Sequence, residues 1–336
     1  MKERLKKFSE LIDQANTILI TSHKDPDGDS IGSQLALATL IESRGKSCSI
    51  INQGALPNKY QFLDPARKIQ NISLNENLQN FKTGLDLVVV LDSTSLERIG
   101  QAVELIMPGI RVINIDHHPD NDRFGTFNYI DDKASAVGEM IFVLLKYLNF
   151  TLTPIVSTQL YAAILTDTGR FKFSNTTPQC LKVCAELIEA GADPRYLTNQ
   201  IYFNHSLPFL KLLGSVLSRP QILMEGKICV MTIKQDHLLE LGVDPSELEG
   251  VVDYTLYVKG VEIGLLFTEK GNRKTKVNIR SQNAFDVSKI ARFLGGGGHR
   301  NAAGCTLEMS LNQAKTIIVE QIEKIVKNEP VRTISS

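Results

Sequence analysis

At 336 residues, 43% hydrophobic and 22% charged, the chain can bury a core without disulfides or a structural metal, which excludes disordered, collagen-like and disulfide-scaffold classes. Thirty-seven Lys+Arg balance 37 Asp+Glu, which argues against a generic DNA-coating protein but leaves room for a local basic groove. The cysteines, Cys48, Cys180, Cys184, Cys229 and Cys305, are odd in number and form no CxxC turn, so they read as buried thiols of a reducing compartment.

The opening MKERLKKFSELIDQ is charged and amphipathic and lacks the apolar core of a secretory signal. Residues 17–22 (TILITS) are apolar and β-branched and predict a buried strand. Helical spacing over 30–44 stops at Gly45. Further strands are predicted over 46–52, 86–92 (DLVVVLD) and 111–116 (RVINID). The apolar run between Asp86 and Asp92 is that of a strand covered on both faces. Helices are predicted over 136–148, 154–167 and 178–189. The stretch 147–166 carries no formal charge, but Pro154, Gln159 and several Thr and Ser rule it out as a membrane span of about 20 apolar residues. A cytoplasmic location without a membrane partner is the expectation. Strands alternating with helices predict an α/β fold built on a parallel, doubly wound sheet.

Gly191-Ala-Asp-Pro194 reads as a domain boundary. The expected organisation is a domain over 1–194, a helical connector over 195–220 and a smaller α+β domain over 221–330. In the last of these, strands are predicted over 227–234, 254–259, 262–269 and 274–281, with a hairpin at Lys259 and Gly260. Helices are predicted over 286–294 and 311–326. The connector and the N-terminal helix could support a homodimer.

Three first-half strands run into groups able to bind metal: His23, Asp92, and Asp116-His117-His118. In open parallel sheets ligands bind beyond the carboxyl ends of the strands, so the fold and the chemistry point to one edge. The segment His23-Lys-Asp-Pro-Asp27-Gly-Asp29-Ser30 crowds three carboxylates and an imidazole directly after a strand. Such crowding costs free energy unless a cation neutralises it. A helix cap at Asp29 or Ser30 would account for one acidic residue, not for three and a histidine. Asp116-His117-His118 suggests one imidazole on a metal, one facing substrate, and Asp116 orienting a ring. Asp167 ends an apolar helical run and is either a cap or a ligand. Carboxylate-rich sets with imidazoles suit Mn²⁺ or Mg²⁺ better than a thiolate site would.

Together, HxxPDxD, a strand-terminal Asp, DHH and a later Asp-Thr-Gly resemble the DHH phosphoesterase superfamily, with all four motifs in order across residues 20–170. The resemblance implies two manganese ions, with magnesium a substitute. His23, Asp27 and Asp92 would hold one ion. Asp29, Asp92, His117 and Asp167 would hold the other, with Asp92 bridging. His118 would contact the scissile phosphate. Asp25 falls at a variable position of the family, which leaves its role as a ligand open. Two ions about 3.5–4 Å apart can activate a water and clamp the attacking and leaving oxygens.

The second half holds Arg280-Ser281 and a run of four glycines, 295–298, followed by His299 and Arg300. Residues 259–300 contain nine Lys+Arg against three Asp+Glu, an excess that suits an anion. This half resembles the DHH-associated substrate-binding domain, most closely that of the NrnA-type nanoRNases. The resemblance implies that Arg280, Ser281, Gly297, Gly298 and His299 grip the substrate, with the active site in an inter-domain cleft. No Trp and 7% aromatics argue against a long stacking track, so two to five nucleotides are expected. The implied activity is hydrolysis of short oligoribonucleotides to 5′-mononucleotides and of 3′-phosphoadenosine 5′-phosphate, a bisphosphorylated nucleotide, to AMP. The alternatives are a cyclic-dinucleotide phosphodiesterase, a manganese pyrophosphatase and an inactive nucleotide sensor. The pyrophosphatase lacks this GGGH segment, and the sensor would be expected to have lost at least one ligand position.

Overall fold

The computed structural model describes residues 2–24, 26–72, 84–271, 273–282 and 285–328. The chain divides into two compact units, Met1–Asn204 and His205–Ser336. Asp25 lies outside the described residues. Among those residues no helix is long and apolar enough to cross a membrane.

The first unit contains α1 (Lys2–Gln14), β1 (Thr17–Ser22), α2 (Gly28–Ser43), β2 (Ser47–Asn52), β3 (Ile69–Asn71), β4 (Leu87–Leu91), β5 (Arg111–Asp116) and β6 (Phe127–Ile130). It continues with α3 (Val137–Tyr147), α4 (Pro154–Asp167), α5 (Pro178–Glu189) and α6 (Pro194–Tyr202). Its six strands are parallel, in the order β3-β2-β1-β4-β5-β6. The order reverses between β1 and β4, which is where such a sheet opens a crevice. Side chains alternate across it. Ile18, Ile20, Val89 and Ile115 join the core beneath the helices. Leu19, Val88, Val90 and Val112 join a second core with Ile99, Ala102 and Leu105 of the 3-10 stretch Leu96–Leu105. Four of these helices start on side-chain caps. Asp27 accepts from the Ser30 amide, and Thr153, Thr177 and Asp193 each cap a helix that begins with proline.

Helices α2 and α4 touch at bare backbone. A side-chain carbon at Gly32 would overlap the Gln159 carbonyl, and one at Gly28 would lie 2.5 Å from Thr166 Oγ1. That contact sets Asp29 near Asp167.

The second unit contains α7 (Leu207–Leu217), β7 (Gln221–Leu223), β8 (Ile228–Ile233), α8 (Gln235–Leu241), β9 (Ile263–Glu269) and β10 (Thr275–Ser281). It ends with α9 (Ser288–Phe293), β11 (Gly297–His299), β12 (Ala302–Leu307) and α10 (Leu311–Asn328). The span expected as a connector thus holds α6 and α7, one in each unit. The second sheet has the order β11-β12-β10-β9-β8-β7, antiparallel except for β8 with β9.

Two expectations fail here. Residues 254–259 are not a strand: Val251–Tyr257 is a 3-10 helix. No hairpin forms at Lys259 and Gly260. Strands β8 and β9 are parallel, and parallel neighbours need a crossover rather than a tight turn. Helix α8 and the 3-10 stretch supply it. Within the glycine run, Gly297 and Gly298 pair with Gly304 and Ala303.

Candidate metal centre

Each donor is placed by a strand end or a helix end. His23 follows β1. Its Nδ1 lies 2.9 Å from the Lys24 carbonyl, which calls for a hydrogen on that nitrogen and leaves Nε2 facing the site. Nε2 lies 2.8 Å from Ser30 Oγ, 3.5 Å from Asp92 Oδ2 and 3.9 Å from Asp27 Oδ1. Ser30 Oγ in turn donates to Asp92 Oδ2 at 2.8 Å. Asp92 follows β4 with φ of 54°, a left-handed conformation that aspartate tolerates at a cost of roughly 1–2 kcal/mol. Strain of this kind gathers where a side chain must be aimed.

Beyond β5 the two histidines diverge, their rings 5.0 Å apart and edge-on at 71°. His117 Nδ1 lies 3.1 Å from the Ala134 carbonyl. Its Nε2 lies 3.5 Å from Asp167 Oδ2, 3.8 Å from Asp29 Oδ2 and 3.9 Å from Asp92 Oδ1. His118 Nδ1 is 2.7 Å from Asp116 Oδ1, and Asn121 Nδ2 donates to Asp116 Oδ2 at 2.7 Å. Asp116 therefore orients the His118 ring and is itself held in place.

Asp29 accepts from the Val137 and Gly138 amides, 2.7 and 2.8 Å away at the start of α3, and from Ser33 Oγ at 3.1 Å. Asp167, the last residue of α4, accepts from Asn175 Nδ2 at 3.2 Å, and that amide also donates to the Ser135 carbonyl at 2.8 Å.

The electrostatics are those of too many carboxylates. Asp29 and Asp92 are only 1% and 4% exposed. Burial and the charges of Asp92 and Asp167 raise the Asp29 carboxyl well above its usual range. Burial opposes the charged form of His117, yet Asp167, Asp29 and Asp92 push it up to about 10. His23 likewise rises against its burial, because of Asp27 and Asp92. Protons on the imidazoles thus do the work of cations. Oxygen and imidazole donors in this arrangement fit a hard or borderline divalent ion. Three sets place one donor atom per residue within 4.8 Å of one another: His23, Asp27 and Asp92; Asp92, His117 and His118; Asp29, His117 and Asp167. Asp92 and His117 each serve two sets.

All seven residues expected around the metal, His118 included, therefore meet in the first unit. Arg280, Ser281, Gly297, Gly298 and His299 lie in the second. Arg280 Nε donates to Asp253 at 2.8 Å. Ser281 is buried; its Oγ donates to the Phe285 carbonyl at 2.7 Å and accepts from Asn301 Nδ2 at 2.9 Å. Arg280 and His299 pair with Ala302 from opposite sides. Sequence reasoning missed Asn121 and Asn175 and read Ser30 only as a cap. A polar residue in a loop gives no sign of its direction before the fold is known.

The DHH family, N-terminal domain, matches residues 17–166, and the DHHA1 domain matches residues 225–328. A Thermus thermophilus protein named bifunctional oligoribonuclease and PAP phosphatase NrnA is 34% identical over 91% of this chain and 89% of its own length. The chain belongs to the DHH family. A Bacillus subtilis DHH relative of the same name is 30% identical over 91% of this chain and 93% of its own length. The DHH fold is also that of an exopolyphosphatase-related protein from Bacteroides fragilis, with a TM-score of 0.89 at 24% identity over 96% of each chain.

Proposed function

We propose that this chain is a metal-dependent phosphoesterase that hydrolyses short oligoribonucleotides to 5′-mononucleotides and 3′-phosphoadenosine 5′-phosphate to AMP. One observation carries the reading: buried and partly buried donors from three strand ends and two helix ends share Asp92 and His117 between overlapping sets. The names of the relatives supply the substrate class. His23, Asp27 and Asp92 would hold one ion, and Asp29, Asp92, His117 and Asp167 the other. Two manganese ions, or magnesium in their place, would supply Lewis-acid activation of water and neutralise charge on the phosphoryl oxygens.

The chain's own residues do the rest. Asp116 holds His118 through Nδ1, so that Nε2 is the atom offered to the scissile phosphate. Asn121 fixes Asp116. Arg280 takes a substrate phosphate, since its planar fork matches two oxygens at once. Gly297, Gly298 and His299 form the edge strand, one strand removed from Arg280, that receives the nucleotide, and Ser281 fixes the turn beside Arg280. A homodimer and a cytoplasmic site of action belong to the same reading.

The test is a product profile with Mn²⁺ on a labelled dinucleotide, a longer RNA, a cyclic dinucleotide and the bisphosphate. The dinucleotide and the bisphosphate should be consumed fastest. Preferred cleavage of the cyclic dinucleotide would replace this reading with the alternative phosphodiesterase.

A further inference from the structure

Arg280 is held as well as placed. Its Nε donates to Asp253 Oδ1 at 2.8 Å, and its Nη1 donates to the Ile279 carbonyl at 3.3 Å. The two side chains are 18% and 25% exposed, so water screens their attraction only in part. Asp253 belongs to the 3-10 stretch Val251–Tyr257, which is pinned by buried Val251, Val252 and Thr255. Thr255 Oγ1 ties the stretch to itself by donating to the Val252 carbonyl at 2.6 Å.

The stretch packs on the sheet through Val251 and Val252, and one of its contacts lies beside Arg280. Gly264 of β9 pairs in register with Arg280 of β10. A side-chain carbon at Gly264 would overlap Thr255 Oγ1, so a bare position beside Arg280 is what lets the 3-10 stretch sit there. The crossover that replaced the expected strand thereby delivers one carboxylate to Arg280.

A guanidinium can meet two oxygens side-on, through Nε and one terminal nitrogen, or end-on, through both terminal nitrogens. An anion already on Nε closes the side-on edge to a second anion. We propose that Asp253 is a positioning residue that holds Arg280 so that a substrate's terminal phosphate is met end-on by Nη1 and Nη2. The inference rests on the reading above that Arg280 takes a phosphate. Two effects oppose each other: Asp253 draws charge from the phosphate, but it also removes the rotational freedom of a long side chain. Of the two, ordering wins.

The experiment is steady-state kinetics in excess Mn²⁺ with a 5′-phosphorylated dinucleotide and its unphosphorylated counterpart. Asp253→Asn should raise KM for the phosphorylated substrate about tenfold, leave kcat within about twofold, and leave the unphosphorylated substrate unchanged. Asp253→Glu should recover part of the loss. Arg280→Ala should raise the same KM, and adding Asp253→Asn to it should cost nothing more. If Arg280→Ala raises KM while Asp253→Asn leaves it unchanged or lowers it, the positioning role is overturned and the phosphate reading stands. If Arg280→Ala leaves KM unchanged, the phosphate reading of Arg280 falls and the positioning role with it. Equal losses in kcat on both substrates, with a lowered melting temperature in Asp253→Asn, would mark a structural role and also overturn the proposal.

Discussion

The two units handle charge differently. At the carboxyl edge of the first sheet, Asp29, Asp92 and His117 are almost fully buried, and acidic groups crowd one another. On the second sheet Arg280 is half-buried and faces one carboxylate, Asp253. In the first place the difficulty is neutralisation, which short side chains and fixed amides cannot finish without a cation. In the second the charges already balance, and the difficulty is aim. Burial of like charge marks a site that binds an ion; partial burial of one opposed pair marks a site that orients a fork.

That contrast can be broken most directly at Asp92. Asp92→Asn keeps the shape and tolerates the left-handed backbone, but removes the charge shared between donor sets. Turnover should fall at least roughly 10²–10³-fold, with the melting temperature retained. Wild-type turnover in excess Mn²⁺ would show that neutralisation is not the first unit's task.

Asn121→Leu comes next. It leaves every proposed ligand in place but frees Asp116, so kcat should drop roughly 10–100-fold, the scale for a partner that orients a ligand. A rise in KM alone, measured on the dinucleotide, would make His118 a binding group and blur the contrast with Arg280.

Gly32→Val probes the frame. The added side chain overlaps the Gln159 carbonyl, and forcing α2 from α4 should cost about 1–3 kcal/mol in denaturant titration. An unchanged midpoint would mean that the two helices yield freely.

A last test concerns pH. His117 is raised from 6.5 to about 10, so folding favours its protonated form. In protein stripped by a chelator, that stabilisation is whole below about pH 6.5 and fades as pH climbs through about 10. Chelated protein should therefore lose stability over this interval, and a His117→Gln variant should show a flatter profile. A profile unchanged by the substitution would assign the buried proton to another group.

The first unit was largely legible because parallel strands buried on both faces read as unbroken apolar runs. Residues 87–91 (LVVVL) can hardly be anything else, and the polar residues that follow must lie at the sheet edge. His23, Asp92 and His117 could be placed there before any coordinates. The short strands β3 and β6 were missed because three or four residues carry too little pattern. In the second unit YTLYVK at 254–259 has the β-branched and aromatic content of a strand, yet the parallel pairing of β8 and β9 requires a crossover there. Local composition lost to topology. The hydrogen bonds of Asn121 to Ser93, Asn175 to Ser135 and Ser30 to Asp92 were beyond reach because each spans elements that only the fold brings together.

One short run of main chain carries a last consequence. The Ala134 carbonyl meets His117, the Ser135 carbonyl takes the amide that also binds Asp167, and the Val137 and Gly138 amides hold Asp29. Five successive residues thus gauge the spacing of one entire donor set, whose members come from three distant places in the sequence. Such a gauge fixes length rather than identity. Apart from Gly138, where an added carbon would lie 2.5 Å from Ala163, side chains along 134–138 can be exchanged within the limits of packing, but a single inserted or deleted residue would shift all three donors at once.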